Sequence, residues 1–124
     1  MGNVNEKNII RILRSIRSGF YSLIILELLN KYGPLYGYKI KTLIEEISRG
    51  TLKPSESTIY DSLKQLEKNR LIKSFWGESE YGPPRKYYEL TANGVAALGI
   101  LRVEVKRIID LINSIQVEGS ESND

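Results

Sequence analysis

SESTIYDSLKQLEKN at residues 55–69, followed by LIKSFW at 71–76, GESEYGPP at 77–84 and KYYEL at 86–90, is the stretch that decides the fold. Its first part reads as a helix. Ser55 is a credible N-cap, and Glu56 sits in the first turn, where the helix dipole favours an acid. Ile59, Leu63 and Leu66 form a narrow apolar stripe at helical spacing. The remaining surface holds Ser57, Thr58, Asp61, Ser62, Lys64, Gln65 and Lys68. The period then changes. Residues 71–76 and 86–90 are short and rich in aromatic and β-branched side chains, and the segment between them carries two Gly and the pair Pro83-Pro84. That pattern predicts a β-hairpin whose loop is stiffened by proline.

Toward the N-terminus, Ile40, Leu43, Ile44 and Ile47 follow the i, i+3, i+4, i+7 rule, so residues 37–48 form a short amphipathic helix ending near Gly50. Gly33-Pro34 is a strong breaker before it. Residues 20–32 (FYSLIILELLNKY) are nearly all apolar, which suits a helix covered on more than one side. Residues 6–17 (EKNIIRILRSIR) read as a separate amphipathic helix capped by Asn5, with Arg11, Arg14 and Arg17 three apart and Gly19 bending the chain after it.

Toward the C-terminus, Thr91 begins a long helix reaching about Val117. Leu98, Leu101, Val105, Ile108, Ile112 and Ile115 repeat with spacing 3, 4, 3, 4, 3, an a/d seam, while Ile100, Ile109 and Leu111 widen the stripe. A helix of about 26 residues spans about 39 Å, too long for a small three-helix core to cover, so a partner helix is the better explanation. The small acidic residues 118–124 read as a frayed tail. The expected organisation is an N-terminal basic helix at 1–18, a winged helix-turn-helix at 19–91, a dimerisation helix at 92–117 and a disordered tail at 118–124. The fold class is mainly α with a small β-hairpin.

Composition narrows the chemistry. The chain has 124 residues, enough for one domain with its own core, and contains no Cys and no His. Disulfides, thiolate metal sites and thiol nucleophiles are excluded, and the usual general base and nitrogen metal ligand are missing. No carboxylate pair and no Gly-rich phosphate loop stands out, so no enzyme, no metal and no cofactor is expected. The net charge of +3 is mild. Without Glu118, Glu121 and Asp124, however, residues 1–117 carry 18 basic against 12 acidic side chains, a net +6. No apolar run is long enough for a bilayer-crossing helix and no leader is recognisable, so a cytoplasmic protein without a membrane partner is expected.

Four blocks together resemble the PadR family of bacterial and archaeal transcriptional regulators: GPLYGYKI at 33–40, STIYDSL at 57–63, LEKNRLI at 66–72, and GPPRKYYELT at 82–91 followed by Gly94. They cover about residues 20–98, and the last block is the most specific. Ser57 stands where the family usually has Gly, and Asp61 where it often has Pro. The single C-terminal helix resembles the shorter-tailed branch. In drug-binding members of that branch, aromatic residues of the dimerisation helix stack on ligands. Here residues 92–117 hold no aromatic and the single Trp, Trp76, falls on the hairpin, which counts against a small-molecule effector and leaves that question open.

The resemblance implies a homodimeric regulator of transcription that binds double-stranded DNA, most simply a repressor occupying a pseudo-palindromic site. An α-helix entering the major groove needs short or flexible polar side chains on its outer face. Ser57, Thr58 and Ser62 meet the size limit, Lys64 and Gln65 reach bases or phosphates, and the resemblance favours Thr58 and Tyr60 as contacts. Asp61 is set either to read a cytosine amino group or to tune affinity. An ordinary solvated surface is the alternative for Ser57, Thr58 and Ser62. Arg85 and Lys86 lie where a wing runs along the DNA backbone, although Arg85 equally suits bracing the hairpin through a carboxylate. Tyr36, Tyr38 and Lys39 start the second helix, where backbone N–H groups attract a phosphate; for Tyr38 a core position is the other reading. The stripe Arg11, Arg14, Arg17 is a solvated face, or a contact to flanking phosphates or an anionic surface. The rival function is a protein-interaction module on a winged-helix scaffold, since fold does not fix function.

Overall fold

The computed structural model describes residues 5–122, with side chains described to Val117. Its elements run α1 (Glu6–Tyr32), β1 (Leu35–Tyr36), α2 (Gly37–Ile47), α3 (Glu56–Lys68), β2 (Ile72–Gly77), β3 (Arg85–Leu90) and α4 (Ala92–Ser122). The hairpin is present, but it belongs to a three-stranded antiparallel sheet of order β1-β3-β2. Leu35 and Tyr36 pair with Tyr88 and Tyr87, so the short connection before α2 is stitched to the wing. This is a winged helix with a long C-terminal helix.

The core lies where α1, α2 and α3 meet the sheet. Ile25 and Leu26 from α1, Ile40 from α2, Ile59 and Leu63 from α3 and Ile72 from β2 are almost completely removed from water. Burying each such side chain is worth about 1.5–3 kcal/mol relative to leaving it exposed, so this cluster is what orders the domain.

Four features differ from the sequence expectation. The first two helices are one: α1 runs through Gly19 without a bend, so no break falls at residues 18–19. A glycine inside a helix costs only about 1 kcal/mol, less than nucleating a second helix from nothing. At the other end, α4 continues through Ser122 instead of stopping at Val117, so residues 118–122 of the expected tail are helical; no Pro follows Val117 to stop the ladder. Asn123 and Asp124 lie outside the described residues. Third, Ile47 is exposed although it completes the apolar spacing of α2, because that helix ends there and its last turn leaves the core. Fourth, Ser62 points inward from α3 and is buried, leaving the polar face narrower than the sequence suggested.

The seam of α4 also divides. Leu98 is only 2 % exposed and belongs to the core of its own domain, and Leu101 packs against that core. Leu98 is therefore not available to a partner: the first turns of α4 lie on α1 and β3, and the hydrophobic effect is satisfied within the chain. Val105 is half-buried, in a groove shared with Ile16, Phe20 and Leu23 of α1. Ile108, Ile112 and Ile115 are exposed, as are Ile9, Ile10, Ile12 and Ile16 at the other end of the chain. Two helical arms thus project from the core with uncovered apolar side chains. Arg102 ties the base of the α4 arm to α1 by donating from Nε to Glu27 Oε2 at 2.8 Å and from its second guanidinium nitrogen to Oε1.

The junction between α3, β2 and α4 is tight. Thr91 caps α4 by accepting from the Gly94 N–H at 3.0 Å, and its hydroxyl donates to the Arg70 carbonyl at 2.7 Å. The Thr91 N–H donates to the Leu71 carbonyl at 3.1 Å. A Cβ at position 94 would come within 2.0 Å of that same carbonyl oxygen. Glycine is required there because two backbones touch. This gives the Leu-Thr-x-x-Gly block at residues 90–94 a physical reason: it fastens the start of the long helix to the end of α3.

Candidate nucleic-acid interface

The site is built around α3. Ser55 takes an extended conformation and its side chain accepts from the Thr58 N–H at 3.1 Å, satisfying one of the free donors of the first turn. Its hydroxyl is also 2.9 Å from Thr58 Oγ1 and 3.1 Å from Ser57 Oγ. The hydroxyls of Ser57 and Thr58 are therefore pre-arranged around the helix start, with Ser57 exposed and Thr58 half-buried. Ile59, Leu63 and Leu66 anchor the inner side in the core. Ser57, Tyr60, Asp61, Lys64, Gln65 and Lys68 face solvent.

On the α2 flank, Tyr60 lies with its ring against Gly37, where a Cβ would meet the phenol oxygen at 2.7 Å. The glycine at the first position of α2 lets the two helices approach, and Tyr60, 49 % exposed, keeps one edge in water. Tyr38 shares a small cleft with Tyr60, Lys41 and Glu56. It is 58 % exposed, so of its two readings the core one is wrong. Lys39 beside it is exposed. Lys41 instead donates to Glu45 at 3.0 Å, and that hydrogen bond holds its ammonium above the usual lysine range. Its positive charge is paired with that carboxylate.

The wing is a stack of rings carrying two cations. Tyr36 meets Tyr87 edge-on at 5.7 Å, and Phe75 lies parallel to Tyr87 at the same distance. The Arg85 guanidinium sits 4.4 Å from the Tyr36 ring centre, and the Lys86 ammonium 5.8 Å from that of Tyr88. Among the described residues, Arg85 is thus braced by an aromatic face and pairs with no carboxylate. β2 is tied to α3 where Ser74 donates to Glu67, and Ser79 Oγ closes the loop by donating to the Pro83 carbonyl at 2.7 Å. Burial raises the Tyr88 phenol above its ordinary value, so it stays neutral under physiological conditions.

The expected residues thus form one surface in part. Tyr36 and Arg85 touch, and Tyr38 and Tyr60 share a cleft. Thr58 and Asp61 turn to the opposite flank of α3, where they face Arg14 and Arg17 of α1 and Lys53 from the preceding turn. Lys53, which directly precedes Pro54 and the capping Ser55, is not a residue that the sequence singles out. Among the described residues, no group of acids is placed to hold a metal ion and no helix is long and apolar enough to cross a membrane.

A capped helix with a polar outer face thus lies beside the start of α2, which Tyr36 links to Arg85 of the wing. The model of the transcriptional regulator PadR-like family matches residues 25–100. The chain belongs to that family. A structure of a transcriptional regulator from Clostridium thermocellum is 32% identical, with a TM-score of 0.73 over 81% of this chain and 93% of that one. Bacillus subtilis PadR, solved in complex with operator DNA, is 29% identical with a TM-score of 0.59 over 66% of this chain and 46% of its own. An uncharacterized protein of Lysinibacillus sphaericus is 36% identical over 99 residues, 77% of this chain and 89% of that one.

Proposed function

We propose that this PadR-like regulator binds double-stranded DNA sequence-specifically, with α3 in the major groove and the β2–β3 wing along the backbone. The observation that carries this reading is the outer face of α3, where Ser57, Tyr60, Asp61, Lys64 and Gln65 are presented by a cap and a core that fix the helix. Tyr36, Tyr38, Lys39, Thr58, Arg85 and Lys86 complete the set of contacts. The solved complex of Bacillus subtilis PadR with operator DNA supports it. The protein acts in the cytoplasm as a homodimer joined through α4, on a pseudo-palindromic site whose half-site centres lie about one helical turn apart. It is a repressor that blocks a promoter by occupying it, and it binds without catalysing.

Phosphate contacts supply most of the affinity, so binding weakens steeply with salt. Selection of bound duplexes from random genomic fragments, repeated at higher salt, tests the reading. Lys64→Ala or Arg85→Ala should lower affinity across sequences and reduce the slope of log K against log salt by about 1 each. Unchanged slopes for both remove these residues from the interface. The rival, a protein-interaction module, draws on the outward aromatics of the wing, Trp76 at 69 % and Tyr81 at 86 % exposure. Competition with unlabelled duplex separates the two: a module of that kind shows no preference for any fragment.

A further inference from the structure

On one flank of α3, that reading uses Thr58 and Asp61 and leaves the cations beside them without a role. Between the N-terminal half of α3 and the projecting part of α1 lies an open groove of about 410 Å³, with Arg14 and Arg17 on one wall and Lys53, Thr58 and Asp61 on the other. Arg14 and Arg17 are one turn apart, so both point to the same side of α1. None of the three cations takes part in an ion pair among the described residues. Residues 7–20 contain Lys7, Arg11, Arg14 and Arg17 and no acid. Like charges at this spacing weaken a helix when nothing opposes them, and the single acid of the groove, Asp61, comes from α3.

A helix seated in the major groove has a phosphate strand on each side, about 12 Å apart. On the α2 flank, Tyr38, Lys39 and the wing cations Arg85 and Lys86 face one strand. Among the described residues, the cations lining the other flank are Arg14, Arg17 and Lys53. We infer that these three residues form a second phosphate clamp, which grips the DNA backbone on the α1 side of α3 and extends the contact beyond the winged helix. The inference rests on the DNA-binding reading. The position of Asp61 keeps the strand at the cationic rim and off the floor of the groove, because a carboxylate repels phosphate. These contacts carry no base information; they fix register and add affinity uniformly across sequences.

The test uses the full chain and a duplex obtained by the selection above. Affinity is measured by fluorescence anisotropy between 50 and 200 mM salt for the wild type, Arg14→Gln/Arg17→Gln, Lys53→Gln and Arg85→Gln. The clamp predicts about tenfold weaker binding at low salt for the double variant, with the salt slope reduced by about 0.9 for each phosphate released. Lys53→Gln, which leaves α1 untouched, shows the same effect to a smaller extent. Uncharged methylphosphonates at the outer phosphates should weaken wild-type binding and leave the double variant unaffected. Unchanged slopes for the double variant and for Lys53→Gln, with a reduced slope for Arg85→Gln, overturn the clamp while the DNA-binding reading stands. No preference of the wild type for any fragment overturns that reading itself. Loss of flotation with phosphatidylserine vesicles in the double variant, at unchanged DNA affinity, assigns the cations to a lipid surface and overturns the clamp as well.

Discussion

Residues 21–101 and the two arms that leave them follow opposite rules. In the former, α1, α2, α3 and the sheet bury their apolar side chains against one another, and the first turns of α4 close the cluster through Leu98. In the arms, at residues 6–20 and 102–117, equally apolar side chains such as Ile12, Ile16, Ile108 and Ile115 stand in water. The same residue types at the same helical spacing are core in one place and surface in the other. Periodicity therefore states which face of a helix is apolar, and only the fold states who covers it. Exposed contiguous apolar surface of this kind marks an interaction site, and the proposed dimerisation through α4 would cover part of it.

The largest effect that would break this contrast lies at its border. Leu98→Ala should destabilise the protomer by about 2–5 kcal/mol, read as a lower denaturant midpoint at unchanged slope; a change below 1 kcal/mol would place Leu98 among the arm residues. The ion pair between Glu27 and Arg102 gives a smaller, pH-dependent effect. The hydrogen bond from Arg102 and its charge hold the Glu27 carboxylate below the usual range against the opposing cost of burial. A group whose folded value is depressed contributes stability above the unfolded value and loses it as the pH falls through the folded one. The thermal midpoint of the wild type should thus drop more between pH 6 and pH 3 than that of Arg102→Ala; parallel profiles would sever this tie between α1 and α4. The smallest effect on the fold is expected from Ile108→Asp, within about 0.5 kcal/mol when both proteins are diluted to monomers. Its consequence is in assembly: sedimentation should give a monomer that binds DNA far more weakly, and a DNA-competent dimer would move the interface off α4.

Much of the fold was legible because local signals agreed. Ser55 with Glu56 marks a helix start, Gly33-Pro34 marks a stop, and the shift from a helical period to short aromatic runs marks the wing. What escaped has physical reasons. β1 is two residues long and carries no period, so only its pairing with Tyr87 and Tyr88 reveals it. Gly19 reads as a bend in isolation, but a helix already formed on one side crosses a glycine cheaply. The candidate site was legible as a set of residue types and illegible as two flanks. Which side of α3 Thr58 and Asp61 face depends on where α1 lies, a contact between residues some forty positions apart. The bracing of Arg85 by the Tyr36 ring is likewise a product of strand register.

The knot at Thr91 and Gly94 gives the molecule the mechanics of a lever. The long helix starts on the carbonyls of Arg70 and Leu71, where α3 has just ended. Its 31 residues reach about 46 Å. A change of about 5° at that fulcrum carries the far tip through about 4 Å, a distance comparable to one base-pair step. In an assembly joined through this helix, as proposed, the spacing between the two winged helices would follow the angle set at this glycine joint and held by Leu98 and by the Arg102–Glu27 pair.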